Sequence, residues 1–158
     1  MRAAPGRRWR PRGGATAEET ARTLPGDRLL PRPDVVSTRA VTIDAPASSV
    51  WPWLVRLGSD ALPIAPWPGR MRVEICEPER TLVLRTADGA WVWSLSLSTV
   101  WLKTRLISRN RIVTAGRHAA FLRTEPRRLL VERRLLRDIK QRAESIAPSA
   151  WSPPLPRP

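Results

Sequence analysis

The spacing of hydrophobic residues changes at residues 44–46, and the change predicts a strand followed by a helix. In residues 35–43 the apolar residues Val35, Val41 and Ile43 share one phase of a two-residue alternation, which is typical of a β-strand. After residues 44–46 the apolar spacing becomes three and four residues, which is typical of one stripe on a short amphipathic helix. That stripe consists of Val50, Trp53, Leu54 and Leu57. Gly58 follows it and can end the helix in a left-handed conformation.

Three or four further strands are predicted between residues 71 and 113. Asp88-Gly89 is a hairpin signal between two of them. The clearest alternation lies in residues 91–98, where serines alternate with large apolar side chains, so one face of this strand should be dry and the other wet. The apolar positions are Trp91, Trp93, Leu95 and Leu97. In the next strand Arg105, Arg109 and Arg111 should point outwards, and Trp101 should lie near the rim.

The last predicted element is a long helix over residues 126–146. Pro126 is placed in its first turn, after a cap at Thr124 or Glu125. A helix of that length spans about 31 Å, enough to cross a small sheet. Its apolar stripe consists of Leu129, Leu136, Ile139, Ala143 and Ile146. Near the other end of the chain, Thr16 and Glu19 form a capping box that begins a short helix.

Length and composition predict a single folded domain between two tails. A chain of 158 residues suits one ordinary domain. The beginning of the chain is rich in arginine and proline and the end is rich in proline, with almost no apolar pattern in either. We therefore predict a disordered basic tail at 1–14, one domain at 15–147 and a disordered proline-rich tail at 148–158.

The formal net charge is +14, from 28 Lys and Arg residues against 14 Asp and Glu residues. Such a charge attracts nucleic acids and anionic surfaces. However, the excess lies at the two ends of the chain, and residues 1–13 hold five arginines and no acid. Only Lys103 and Lys140 are lysines, a bias typical of a GC-rich genome, which gives the charge a cause unrelated to binding.

The sequence offers little material for catalysis or metal binding. Cys76 is the single cysteine and His118 the single histidine, so they build no disulfide, no cysteine metal cluster and no recognisable triad. A lone cysteine fits a reducing compartment, and we predict a cytoplasmic protein. No run approaches ~18 apolar residues, so no membrane-spanning helix is expected. We predict neither a cofactor nor a metal site.

The order of elements, with three segments of sequence, resembles the SRPBCC superfamily. These are the START-like, helix-grip proteins that include a bacterial polyketide cyclase/dehydrase-like group. The segments are VSTRAVTIDAPASSVWPWLV at 36–55, VEICEPERTLVLR at 73–85 and ERRLLRDIKQRAE at 132–144. GATAEE at 14–19 and LPGD at 24–27 are similar to the amino-terminal extension of a bacterial subgroup.

The resemblance implies an α+β fold in which a curved antiparallel sheet wraps around the long C-terminal helix and encloses a hydrophobic-ligand cavity. The residues expected to line it are Trp53, Trp67, Trp91, Trp93, Leu95, Leu97, Leu129, Leu136 and Ile139. The chain is shortened in the middle, because only residues 59–70 stand where relatives carry a longer segment that helps to roof the cavity. Either the cavity is more open than in relatives, or the chain is a paralogue that binds nothing.

The sequence therefore predicts a soluble binding protein for a small hydrophobic or amphipathic molecule, with no catalysis evident. Two alternatives stay open beside the non-binding paralogue. One is nucleic-acid or anionic-surface binding through the arginine-rich tail and the basic face of the last helix. The other is an enzyme of the cyclase or aromatase kind. The sequence does not specify the ligand or the oligomeric state.

Overall fold

The body of the protein is one sheet of six strands, and a long helix packs across one of its faces. In this computed structural model the described residues are 12–58, 71–116 and 118–146, with side chains described in 14–58, 71–116 and 127–146. The elements, in chain order, are β1 (Arg12–Gly13), α1 (Ala17–Ala21), a 3-10 helix (Pro25–Leu29), β2 (Val35–Ile43), α2 (Ala47–Gly58), β3 (Met71–Glu77), β4 (Thr81–Thr86), β5 (Trp91–Val100), β6 (Lys103–Ile112) and α3 (His118–Ile146).

The strand order across the sheet is β1-β2-β6-β5-β4-β3. Five of these strands form an antiparallel, curved sheet, and this confirms the predicted α+β helix-grip class. The exception is β1, which pairs parallel with β2 through Arg12↔Thr38 and Gly13↔Arg39. Arg12 and Gly13 were predicted to belong to a disordered tail, so order begins earlier than the predicted boundary. Residues 1–11 and 147–158 lie outside the described residues.

The inner face of the sheet packs against α2 and α3 and forms the main core. Alternate residues of β5 point inward as the sequence predicts, and the helix α2 buries Val50, Leu54 and Leu57. From α3 the core receives Leu136, Ile139 and Ala143. The capping box of α1 and the Asp88-Gly89 hairpin turn are also confirmed.

The helix α3 is longer than predicted. It spans 29 residues and begins at His118, so the prediction of a start at Pro126 was wrong. A proline inside a helix removes one amide donor and disturbs the preceding turn, but it does not always end the helix. Here the helix continues through Pro126 and ends at Ile146 as predicted.

The outer face of the sheet is covered in part by residues 14–30, which form an N-terminal layer made of α1 and the 3-10 helix. Gly26, in the 3-10 helix, lies directly on the sheet. A Cβ atom at this position would stand 2.0 Å from Ser94 Oγ, 3.0 Å from Val83 and 3.2 Å from Val92. The close approach therefore requires glycine.

Arg109 on β6 connects this layer to the sheet by hydrogen bonds. Its side chain is 3% exposed and donates to the carbonyl oxygens of Glu19, Thr20 and Arg22, at 2.8, 3.0 and 2.6 Å. It also donates to Asp27 Oδ2 at 2.7 Å. The carbonyl groups at the end of a helix have no partners within it, so the guanidinium caps α1 and pairs with the 3-10 helix at once.

The two other arginines of β6 make similar contacts. Arg105 donates to both carboxylate oxygens of Glu19, at 2.8 and 2.9 Å, a bidentate pair. Arg111 donates to Leu30 O at 2.9 Å and to Pro31 O at 3.2 Å. These side chains were predicted to point outwards. They do lie on the outer face, but the N-terminal layer covers them. All three arginines therefore make hydrogen bonds within the fold.

We predict that Gly26→Ala lowers the free energy of unfolding by about 1–3 kcal/mol, because the added methyl group overlaps the sheet. Adding Ser94→Ala removes the nearest atom and should restore part of the loss. Urea unfolding of the two single variants and the double variant measures this coupling. An additive result would contradict the contact between the 3-10 helix and Ser94.

A second prediction concerns acid. The hydrogen bond from Arg105 lowers the pKa of Glu19 from 4.5 to about 2. The stabilising contribution of this carboxylate is therefore complete above pH 4.5 and is lost as pH falls toward 2. Glu19→Gln should be less stable than the wild type at neutral pH, and the difference should vanish on acidification. The exposed neighbour Glu18→Gln is the control, and an equal loss there would contradict the assignment.

Candidate functional site

A group of polar side chains lies inside the protein, between the inner face of the sheet and α3. We call it the inner polar cluster and define it as Arg39, Ser108, Asn110 and Glu132. All four residues are buried, with exposed fractions of 8% or less. Arg39 and Ser108 are direct neighbours on β2 and β6, and Glu132 reaches them from α3. The cluster therefore joins three elements at the centre of the fold.

Glu132 is the acceptor at the centre of this cluster. Its Oε1 accepts from the Ser108 hydroxyl at 2.5 Å and from Asn110 Nδ2 at 3.0 Å. Its Oε2 lies 3.2 Å from Arg39 Nε, so the two residues form a buried ion pair. Burial raises the pKa of Glu132, and the hydrogen bonds and the charge of Arg39 oppose that shift. Both carboxylate oxygens are thus engaged.

Two tryptophans donate to the same cluster. Trp93 Nε1 donates to Ser108 Oγ at 2.8 Å, and Trp91 Nε1 donates to Asn110 Oδ1 at 2.9 Å. Ser108 consequently accepts from an indole and donates to Glu132. The alternation of β5 places both rings on the inner face, and these hydrogen bonds fix the direction of their polar edges.

The guanidinium of Arg39 is the incompletely paired member. Its Nε–H is buried without a hydrogen bond, despite the short distance to Glu132. Among the described residues, Glu132 is the partner found for this nitrogen, at 3.2 Å. A buried guanidinium can donate to an oxygen of a ligand, because a charged group that is buried without hydrogen-bond partners costs free energy.

The nine residues predicted to line a cavity fall into three groups. Six of them belong to the packed core, with exposed fractions between 0% and 8%: Trp91, Trp93, Leu95, Leu97, Leu136 and Ile139. Trp53 and Leu129 are half-buried, and Trp67 lies outside the described residues. Because Trp93 and Leu95 have no accessible surface, no water-sized void lies against them.

Trp53 occupies the contact between α2 and α3. Arg56 and Arg142 place their guanidinium carbons 5.1 and 5.2 Å from the centre of its ring, one from each helix. A third such contact places Arg128 of α3 5.2 Å from the ring of Trp91. Cations over the faces of buried or half-buried indoles stabilise these helix contacts.

A cleft of about 230 Å³ opens on the outer side of the sheet, between the N-terminal layer and the strands β4 and β5. Of the predicted cavity residues, Leu97 reaches it. Polar side chains of Arg22, Arg80 and Ser96 contribute to its lining. This cleft is separate from the inner polar cluster.

In the described part of the chain, no group of three His, Cys, Asp or Glu residues could hold a metal ion. Cys76 is exposed on β3. The side chain of His118 is outside the described ones. No helix in the described ranges is long and apolar enough to cross a membrane.

The inner polar cluster was missed by the sequence interpretation, although the periodicity contains it. Glu132 lies three residues after Leu129 and four before Leu136, on the apolar stripe of α3. In β6, Ser108 and Asn110 occupy inward positions. Arg39 likewise shares its phase with apolar residues of β2. Polar residues at core phases were the available signal.

No family model and no curated protein matches this chain. Among solved structures, Aha1 from Colwellia psychrerythraea, described as a dimer, is 14% identical over 70% of this chain and 96% of its own, with a TM-score of 0.53. The chain therefore shares the α+β helix-grip fold of that structure. The predicted resemblance is thereby confirmed at the level of the fold.

Two further structures are similar at lower scores. A polyketide cyclase-like protein from Corynebacterium glutamicum is 17% identical over 72% of this chain and 90% of its own, with a TM-score of 0.41. A conserved protein of unknown function from Enterococcus faecalis is 15% identical over 76% of this chain and 75% of its own, with a TM-score of 0.46.

Proposed function

We propose that this protein binds a small amphipathic molecule between the sheet and α3, and that Arg39 holds the polar group of that molecule. The observation that carries the proposal is the buried Arg39–Glu132 pair, with an exposed fraction of 8% for Arg39 and 2% for Glu132. A buried ion pair contributes little net stability compared with apolar residues of similar volume. Its position at the inner face of a helix-grip fold gives it a role in binding instead.

The charge arrangement selects the kind of ligand. Glu132 already accepts from Ser108 and Asn110, whereas the ion pair of Arg39 runs through Nε, and its two terminal nitrogens would donate to the ligand. The complementary group is an acceptor oxygen, such as a carboxylate, a sulfonate or a carbonyl. Half-buried Leu129, one turn before Glu132 on α3, and Trp91 would contact the apolar body of the ligand.

The surface that would contact the ligand is smaller than the predicted cavity wall. Trp93, Leu95 and Ile139 support the site from behind, since they are packed in the core. Trp53 and Arg142 contact each other where α2 meets α3, more than two helical turns from Glu132. They would contact the ligand as it enters, separately from the inner polar cluster.

Neither alternative function has a comparable observation in its favour. For nucleic-acid binding, the predicted surfaces are the arginine-rich tail, which lies mostly outside the described residues, and the basic face of α3. The arginines of β6 add nothing to them, because Arg105, Arg109 and Arg111 are engaged by the N-terminal layer. For general acid–base catalysis, Glu132 has a raised pKa, but each of its oxygens is occupied by a neighbour. That occupancy favours a positioning role for Glu132.

The test uses 1-anilinonaphthalene-8-sulfonate, which has an apolar ring system and one sulfonate. We expect Arg39→Gln to weaken its binding about tenfold, since hydrogen bonds to charged groups contribute roughly 1.5–3 kcal/mol. Glu132→Gln should tighten binding, because it removes the charge that competes for Arg39. Fluorescence titration of each variant gives the dissociation constants.

Arg72 and Glu74 provide the matched controls, because they form an ion pair at 2.6 Å on the exposed strand β3. Arg72→Gln and Glu74→Gln should leave the dissociation constant unchanged. General damage to the fold would expose apolar surface and increase binding of this probe in both interior variants. A parallel change in Arg39→Gln and Glu132→Gln in either direction, or no change in either, would therefore contradict the proposal.

A further inference from the structure

The turn between β5 and β6 has an unusual composition for its geometry. Two residues, Trp101 and Leu102, connect the paired residues Val100 and Lys103. Both have positive φ, 50° and 66°. A two-residue hairpin with this backbone favours Asn-Gly, because bulky side chains are strained in the left-handed region. Folding alone therefore does not explain Trp-Leu at this turn.

The same turn is strongly exposed. Trp101 is 92% exposed, Leu102 51% and Val100 45%. Ile146, at the end of α3, is 53% exposed. We call these four residues the hairpin-tip patch.

Two contacts place the β5–β6 turn and the C-terminal end of α3 at the same end of the molecule. Lys103, next to Leu102, places Nζ 3.4 Å from Asp44 Oδ2. The amide of Asp44 donates to Glu144 Oε1 at 2.8 Å, and Glu144 is two residues before Ile146. The two acids beside the patch are each paired with a lysine, Asp44 with Lys103 and Glu144 with Lys140.

We propose that the hairpin-tip patch inserts into the interfacial region of an anionic lipid bilayer. A tryptophan and a leucine on a projecting turn suit this environment, because indole rings concentrate at the level of the headgroups and need no shaped partner there. The net charge of +14 attracts anionic headgroups to the protein as a whole, with the excess at the two ends of the chain and not at the patch itself. Local charges at the patch are neutralised in pairs and do not oppose this approach.

A protein partner fits the patch less well. A stable protein interface buries about 800 Å² on each side. The exposed parts of three side chains at the turn and of Ile146 at the end of α3 offer less than that. The bilayer is therefore the occupant that area, shape and charge favour together. This inference does not depend on the ligand proposed for the inner polar cluster.

The experiment measures co-sedimentation of the full chain with vesicles made of equal parts phosphatidylcholine and phosphatidylglycerol. The test variant is Trp101→Asn with Leu102→Gly, which removes the apolar tip and supplies the residues that this turn prefers. It should fold with an unchanged or higher Tm and bind the vesicles at least about tenfold more weakly. Leu130→Asn is the control, since Leu130 is 58% exposed on α3 and outside the patch. It should bind as the wild type does.

Brominated lipids provide a second readout, because they quench an indole that enters the bilayer. Quenching should be present in the wild type and lost in the turn variant. Equal vesicle binding by the wild type and the turn variant would show attraction by charge alone and overturn the inference. Failure of the wild type to bind would also overturn it. Dimerisation of the wild type that the turn variant abolishes would assign the patch to a second copy of the chain, with the same consequence.

Discussion

The ion pair between Arg39 and Glu132 is the interaction on which the interior of this protein depends. A charge removed from water must be paired and hydrogen-bonded, so each residue around the pair has a restricted position. Glu132 fixes the rotation of α3 over the sheet, and Ser108 and Asn110 fix the inward phase of β6. The indole N–H groups of Trp91 and Trp93 then complete the network. The tryptophans of β5 are therefore packed core residues with oriented polar edges.

Arginine has a structural role on both faces of the same sheet. On the inner face Arg39 pairs with α3, while on the outer face Arg109 caps α1 and pairs with Asp27 of the 3-10 helix. The guanidinium group suits both positions, because its planar set of donors satisfies several acceptors at once. A high arginine content therefore measures internal bonding here as well as surface charge, and it is a weak argument for nucleic-acid binding.

Most of the fold could be predicted from local patterns. The change of apolar spacing after residue 43 identifies β2 and α2, and the alternation of β5 identifies its inner face. The start of α3 could not be predicted, because Pro126 is equally compatible with a first turn and with a helix interior. The predicted ligand-contacting residues stay a prediction. Apolar residues at inward phases were interpreted as a cavity wall, whereas packing density decides between a wall and a core and depends on contacts distant in sequence.

The most direct test of the account replaces both partners of the central ion pair, as Arg39→Met with Glu132→Leu. Apolar residues of similar volume remove the desolvation penalty of two buried charges, but they leave the donors of Ser108 and Asn110 without their acceptor, so stability should fall by about 1–3 kcal/mol while the protein stays folded. Binding of 1-anilinonaphthalene-8-sulfonate should be lost, because the donor for the sulfonate is gone. A double variant that is stable and still binds the probe with the wild-type dissociation constant would contradict the account.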